Sequence, residues 1–225
     1  MSTIHRSAII LILFSALTHA PSAQAQEITR MPDAARQSVG FEGGLESAFV
    51  AWATYTHRVD FGLIPDERLF ARFTMPVVAL DLGDWAIDGG MRATPLTWGD
   101  VRLAVLAGPV LRHTANELFS ATAGGLGATA LLGYEGPRWG LSAELRYEQM
   151  LTTYLRHSDL YHDRYYAGAK DGWYAITGAV ARAGLRGGVR FSSVEISVRA
   201  GVAATGALHA LTPPFYVTLG STYAF

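Results

Sequence analysis

Beyond residue 25, the hydrophobic residues of this chain alternate with Gly, Thr, Ser and Arg. They never run for the ~20 consecutive apolar positions that a membrane-spanning helix requires. Yet half of the chain is hydrophobic and its mean hydropathy is +0.19. A chain that is apolar on average but never continuously so sorts its side chains onto opposite faces of strands. In the stretch 139–156, Leu141, Ala143, Leu145 and Tyr147 share one face, and Ser142, Glu144, Arg146 and Glu148 share the other. In 173–191, Ala181, Ala183, Leu185 and Val189 oppose Arg182, Arg186 and Arg190. In 194–206, Val194, Ile196, Val198, Ala200 and Val202 oppose Glu195, Ser197 and Arg199. Two all-β designs accommodate this pattern. A transmembrane barrel turns its apolar face to lipid and its polar face inward, and a soluble sandwich does the reverse. Alternation alone does not separate them.

The last residues carry the next constraint. From residue 214 the chain reads P-F-Y-V-T-L-G-S-T-Y-A-F. Phe215, Val217, Leu219, Tyr223 and Phe225 fall on one face, with Ser221 the polar exception. Tyr216, Thr218, Gly220, Thr222 and Ala224 fall on the other. The pattern Thr218-x-Gly220-x-x-Tyr223-x-Phe225 resembles the C-terminal β-signal of bacterial outer-membrane β-barrels. That resemblance implies a last strand that closes on the first and is read by the barrel-assembly machinery.

Residues 1–25 read as a secretory signal peptide. Arg6 precedes an apolar run from Ser7 to Leu17, and Ala23-Gln24-Ala25 forms an A-x-A cleavage site. Residues 26–40 read as a periplasmic lead-in and 41–225 as the barrel. There are no cysteines, so no disulfide framework or thiol nucleophile is available. A net charge of -1 leaves no nucleic-acid footprint. No cofactor is expected.

Strands are expected at 45–58 (starting as early as 41), 68–80, 85–96, 101–113, 123–134, 139–156, 173–191, 194–206 and 214–225. That makes nine, whereas a barrel with both ends in the periplasm needs an even number. A turn near Gly43-Gly44 would give ten. An early segment that does not cross would give eight. Pro76 and Pro95 weaken their strands, since proline removes a ladder donor. Counting back from a periplasmic C-terminus, the short connections at 97–100, 135–137 and 192–193 fall on the periplasmic side. The longer ones at 114–122, 157–172 and 207–213 fall outside, the asymmetry that outer-membrane barrels display. Trp98, Tyr134, Trp139, Phe191 and Phe225 gather at one set of strand ends, and Tyr154, Trp173 and Phe215 at the other, as interfacial anchors do.

With the apolar faces toward lipid, the lumen receives Arg72, Arg92, Arg102, Arg146, Arg182, Arg186, Arg190 and Arg199, together with Asp88, Glu144, Glu148 and Glu195. A barrel this narrow holds little beyond its own side chains, so a paired plug is one reading. The excess of arginine supports another, a narrow anion-preferring path. At the outer rim, the loop from His157 to Gly172 concentrates Asp159, Tyr161, His162, Arg164, Tyr165 and Asp171. Arg164 and Lys170 suit the phosphates of lipopolysaccharide, which with outer-membrane lipid is the expected surrounding.

A lipid hydrolase is the third reading, with His157 as base, Ser158 as nucleophile and His113 near the same rim. Outer-membrane phospholipases and lipid A deacylases carry His-x-Ser, which places both side chains on one strand face. Here His157 and Ser158 are adjacent and would point apart. His157, Asp159, His162 and Asp163 offer metal donors, but two histidines five apart in a loop fix no geometry, and no metal site is read.

Overall fold

Among the described residues, every strand pairs antiparallel with its sequence neighbour, and the last pairs with the first. The structure, a computed structural model, describes residues 35–46, 49–77, 83–205 and 215–225. The expected signal peptide, with its cleavage site, lies outside the described residues. Ten strands close the ring: β1 (Gln37–Leu45), β2 (Phe49–Arg58), β3 (Arg68–Pro76), β4 (Trp85–Trp98), β5 (Val101–Ala115), β6 (Phe119–Glu135), β7 (Trp139–His157), β8 (Gly172–Phe191), β9 (Val194–Thr205) and β10 (Phe215–Ala224). A short helix, α1 (Asp159–Arg164), lies between β7 and β8. The seam runs from Ser38 opposite Ala224 to Leu45 opposite Val217. At its end, the Phe225 carbonyl accepts from the backbone N–H of Arg36 (3.0 Å) and Gln37 (2.9 Å).

The two faces of the wall resolve the ambiguity that alternation leaves. Leu145 is 62 % exposed and Leu219 60 %, and Leu141, Leu185, Val202, Val217 and Phe41 are likewise turned out. Glu148 and Glu195 are fully buried, and Arg68, Arg92, Arg186 and Arg199 are buried with them. A soluble barrel keeps its hydrocarbon inside. This one turns it outward and encloses its charge, which lipid rewards and water does not. A closed antiparallel ring with an apolar exterior and a charged interior is the fold of an outer-membrane β-barrel.

Ten is one of the two expected strand numbers, but the extra turn is not at Gly43-Gly44. Both glycines lie inside β1, opposite Leu219 and Thr218 on one side and Ala51 and Val50 on the other. Gly44 is there for clearance: a Cβ on it would stand 2.2 Å from the Val217 carbonyl oxygen. β1 starts at Gln37, inside the stretch read as lead-in, and the turn follows Leu45.

One connection differs from its expected length. The loop expected at 114–122 contracts to residues 116–118, because β5 runs on to Ala115 and β6 starts at Phe119. At the strand ends that carry Gln37 and Phe225, residues 59–67, the gap expected between 58 and 68, form an excursion rather than a tight turn. Glu67 organises it by accepting from the backbone N–H of Phe61 (2.7 Å) and Ile64 (3.0 Å). The prolines sit where ladders tolerate them. Pro76 is the last residue of β3, and Pro95 lies in the register shift between Ala93 and Leu96.

β7 carries an irregularity that changes which side chains face the lumen. Its register with both neighbours skips Leu151. Up to Met150 the even-numbered residues face inward, and beyond Leu151 the odd ones do: Thr153, Leu155 and His157 are buried. A bulge of one residue flips every later side chain to the other face.

Candidate functional site

The lumen is crossed by ion pairs between strands that are not neighbours. Arg72 on β3 sits opposite Asp88 on β4 and pairs with it. Asp88 also meets Arg146, three strands away on β7, at 3.6 Å. Arg146 pairs with Glu148, Glu148 meets Arg182 on β8 at 3.5 Å, and Arg182 reaches Glu46 beyond β1 at 3.4 Å. Arg112 on β5 joins at Glu148. These contacts run from β3 across the barrel to the end of β1.

A second set lies beside the first. Glu144 is shared by Arg199 (2.5 Å) and Arg186 (3.5 Å). Arg199 continues to Glu42 on β1 at 3.6 Å and stacks over the Tyr216 ring at 5.4 Å. Glu42 in turn accepts from Trp52 Nε1 (3.2 Å) and from the Thr218 hydroxyl. Toward the end with Gln37 and Phe225, Arg92 pairs with Glu135 (2.8 Å), Arg190 with Glu195 (3.1 Å) and Arg68 with Asp66 (2.8 Å). Asp66 lies in the 59–67 excursion. Burial works against its charge, but Arg68, Arg92 and Arg58 outweigh it and hold the carboxyl below its usual range.

Each interior charge expected from the alternation is buried in this network, except Arg102, which is half-buried near the β4–β5 turn. Glu42, Glu46, Arg68, Arg112 and Glu135 are added to the expected set. The three added carboxylates arrive with two added arginines, so the excess of arginine narrows only from four to three, and the pairing rests on carboxylates shared between arginines. Arg112 and Glu135 were findable, because they continue the inward parity of β5 and β6. Glu42 and Glu46 were hidden by the unread first hairpin. Among the described residues, a cavity of about 10 Å³ lies between Asp88, Arg146, Gly127 and Phe70. It is at the threshold for one water molecule.

The second cluster sits at the opposite end from Gln37 and Phe225, where β7 leaves the wall. The Leu151 bulge turns His157 inward. Its ring packs on Tyr161 at 4.7 Å, and the His162 ring approaches edge-on at 5.8 Å. Asp171, just before β8, accepts from the His157 backbone N–H at 2.8 Å and lies 2.8 Å from its Nδ1. Both contacts hold the Asp171 carboxyl below its usual range. His157, His162 and Asp171 each present one ligand atom, all within 4.8 Å of one another.

Helix α1 makes that convergence possible, and it departs from the irregular loop expected there. Ser158 is its N-cap, accepting from the Tyr161 N–H at 3.2 Å. Asp159 lies in the first turn, and His162 and Arg164 in the last, charges that suit the helix dipole. Tyr161 is buried, and Tyr165 stacks on it at 5.7 Å while remaining exposed. The hydrolase triplet is not assembled. Ser158 is engaged as a cap. His113 is on the outer face of β5, stacked on Trp85 at 5.4 Å and bonded to Thr122 at 2.8 Å. A residue facing outward on β5 does not meet one facing inward on β7.

The expected assembly signal divides between faces. Thr218 and Gly220 point inward against Glu42, and Tyr223 and Phe225 point outward, stacked at 5.7 Å.

No protein-family model matches this chain, and no curated protein does. Among solved structures, it is similar to the outer membrane protease OmpT from Escherichia coli, with 10% identity and a TM-score of 0.47, over 85% of this chain and 94% of that one. It is also similar to the KdgM porin, with 8% identity and a TM-score of 0.39, over 84% of this chain and 99% of that one. Likeness at this level transfers neither activity nor substrate.

Proposed function

We propose that this protein is a non-enzymatic, non-conducting outer-membrane barrel whose enclosed charges are a structural plug and whose exposed function lies at the end carrying α1. The observation behind this reading is the unbroken series of contacts from Arg72 through Asp88, Arg146, Glu148 and Arg182 to Glu46. Side chains that line a water-filled pore are wet. Arg146 is 2 % exposed and Glu148 0 %. Guanidinium forks shared among carboxylates hold the wall together across its diameter.

In this reading a cleaved signal peptide delivers the chain to the periplasm. The assembly machinery takes up β10, both termini remain in the periplasm, and α1 faces outward. Arg164 and Lys170 then lie at the level of lipopolysaccharide phosphates. The competing reading, a narrow anion-preferring channel, rests on an excess of arginine, which persists when Glu42, Glu46 and Glu135 are counted with Arg68 and Arg112, but those arginines are buried in shared pairs rather than lining a wet path.

Single-channel recording of the refolded chain in a planar bilayer tests this. The expected result is a folded barrel with no discrete conductance. Steps whose reversal potential in a salt gradient favours anions would establish the channel instead.

A further inference from the structure

Two imidazoles and a carboxylate converge where β7, α1 and β8 meet. We propose that His157, His162 and Asp171 form a binding site for a divalent transition-metal ion of the zinc class, with water completing the coordination. The donor types select the ion. Imidazole with a single carboxylate suits Zn²⁺ and its late first-row neighbours, whereas Ca²⁺ and Mg²⁺ require mostly oxygen ligands.

The geometry is close to what such an ion needs. Ligand atoms within 4.8 Å of one another surround a point that an ion reaches with small shifts. A tetrahedral ion with bonds of ~2.0–2.1 Å sets its donors about 3.3 Å apart, so the widest separation closes by at most about 1.5 Å. The contact between His157 Nδ1 and Asp171 at 2.8 Å opens to about 3.3 Å, the edge of a tetrahedral site. Any proton on a ligating ring nitrogen leaves to solvent as the ion binds.

A hydrogen-bonded His–Asp pair explains two of the three groups. It does not explain His162, whose ring meets His157 edge-on at 5.8 Å with an interplanar angle of 75°. Each donor is positioned by something else. The Leu151 bulge turns His157 inward, and the ring is braced against Tyr161. The Ser158 cap starts the helix that presents His162, whose N–H donates to the Ser158 carbonyl at 3.2 Å. The His157 backbone N–H holds Asp171. Asp171 is exposed, which gives the ion an entry path. A bound ion would tie the end of β7, α1 and the start of β8 into one unit. None of this depends on whether the lumen conducts.

The test is titration of the full refolded chain in detergent micelles with Zn²⁺ against a chromophoric chelator, with Co²⁺ absorption as a second readout. The expected result is one Zn²⁺ per chain, with visible d–d bands for Co²⁺ and no competition from millimolar Ca²⁺. His162→Ala and Asp171→Asn should each weaken binding at least tenfold. His113→Ala, on the outer wall, should leave it unchanged. Retarded electrophoretic mobility on heating verifies that each variant has folded, and Asp171→Asn keeps a hydrogen-bond acceptor for His157. Equal affinity in the wild type and His162→Ala, or no stoichiometric uptake by the wild type, overturns the proposal.

Discussion

Glu148 is fully buried on β7 and is shared by Arg112, Arg146 and Arg182. Three guanidiniums around one carboxylate are tolerable only while the carboxylate is charged, because without it Arg112 loses its carboxylate and Arg146 and Arg182 fall back on Asp88 and Glu46. Glu148→Gln keeps the shape and removes the charge. It should destabilise the barrel by about 3–5 kcal/mol, the usual cost of breaking a buried pair from one side. Glu117→Gln, at an exposed loop position, should change stability by less than about 0.5 kcal/mol. Urea midpoints of the two variants in micelles make the comparison, and equal midpoints would mean that Glu148 does not hold the wall together. Much of this network was legible as residue parity: Arg146 and Glu148 fall on one strand face, and Arg182, Arg186 and Arg190 on another. What parity does not disclose is the partner. Arg146 meets Asp88 three strands away, a contact set by barrel closure rather than by spacing along the chain.

At the scale of elements, the β7 bulge decides which residues reach the loop-end cluster. The sequence E-Q-M-L-T-T-Y-L-R-H places apolar residues on both parities, with Met150 and Leu151 adjacent and Leu155 on the odd face. No alternation survives there to mark a phase change, and so the bulge was not readable. Helix α1 was readable in part, since Ser158 followed by Asp159 is a helix-start signal, but six residues are too few to show a helical period. The bulge has a direct test, because the chain has no cysteine and any introduced one is unique. Leu145→Cys and Tyr154→Cys, on opposite parities but both facing lipid, should react with a lipid-soluble thiol reagent. Thr153→Cys and Leu155→Cys should be at least tenfold slower. If Thr153→Cys reacted as fast as Tyr154→Cys, the phase would not change at Leu151, and His157 would not point inward.

For the molecule as a whole, closure and filling are separate achievements. Closure belongs to the backbone: β1 and β10 pair along the seam, and Phe225 is clamped by Arg36 and Gln37. The terminal pattern made that closure legible before any pairing was known. Filling belongs to the side chains, and the centre of the filling is the Arg146–Glu148 pair, which links Asp88, Arg112 and Arg182. Removing both members of a pair avoids the stranded charge that a single substitution leaves. Glu148 is also the carboxylate that Arg112 meets, so Arg112→Ala, Arg146→Ala and Glu148→Ala together should retain a closed ring while deleting the middle of the plug. If the wild type is silent because its lumen is packed, this triple variant should fold, shift its mobility on heating, and give discrete conductance steps in a planar bilayer. A folded triple variant that stays silent would mean that the remaining pairs, Glu144 with Arg186 and Arg199, seal the lumen by themselves. In that case extending the deletion to Glu144 and Arg199 should open it. If that variant also folds without conducting, the block is not this charge network.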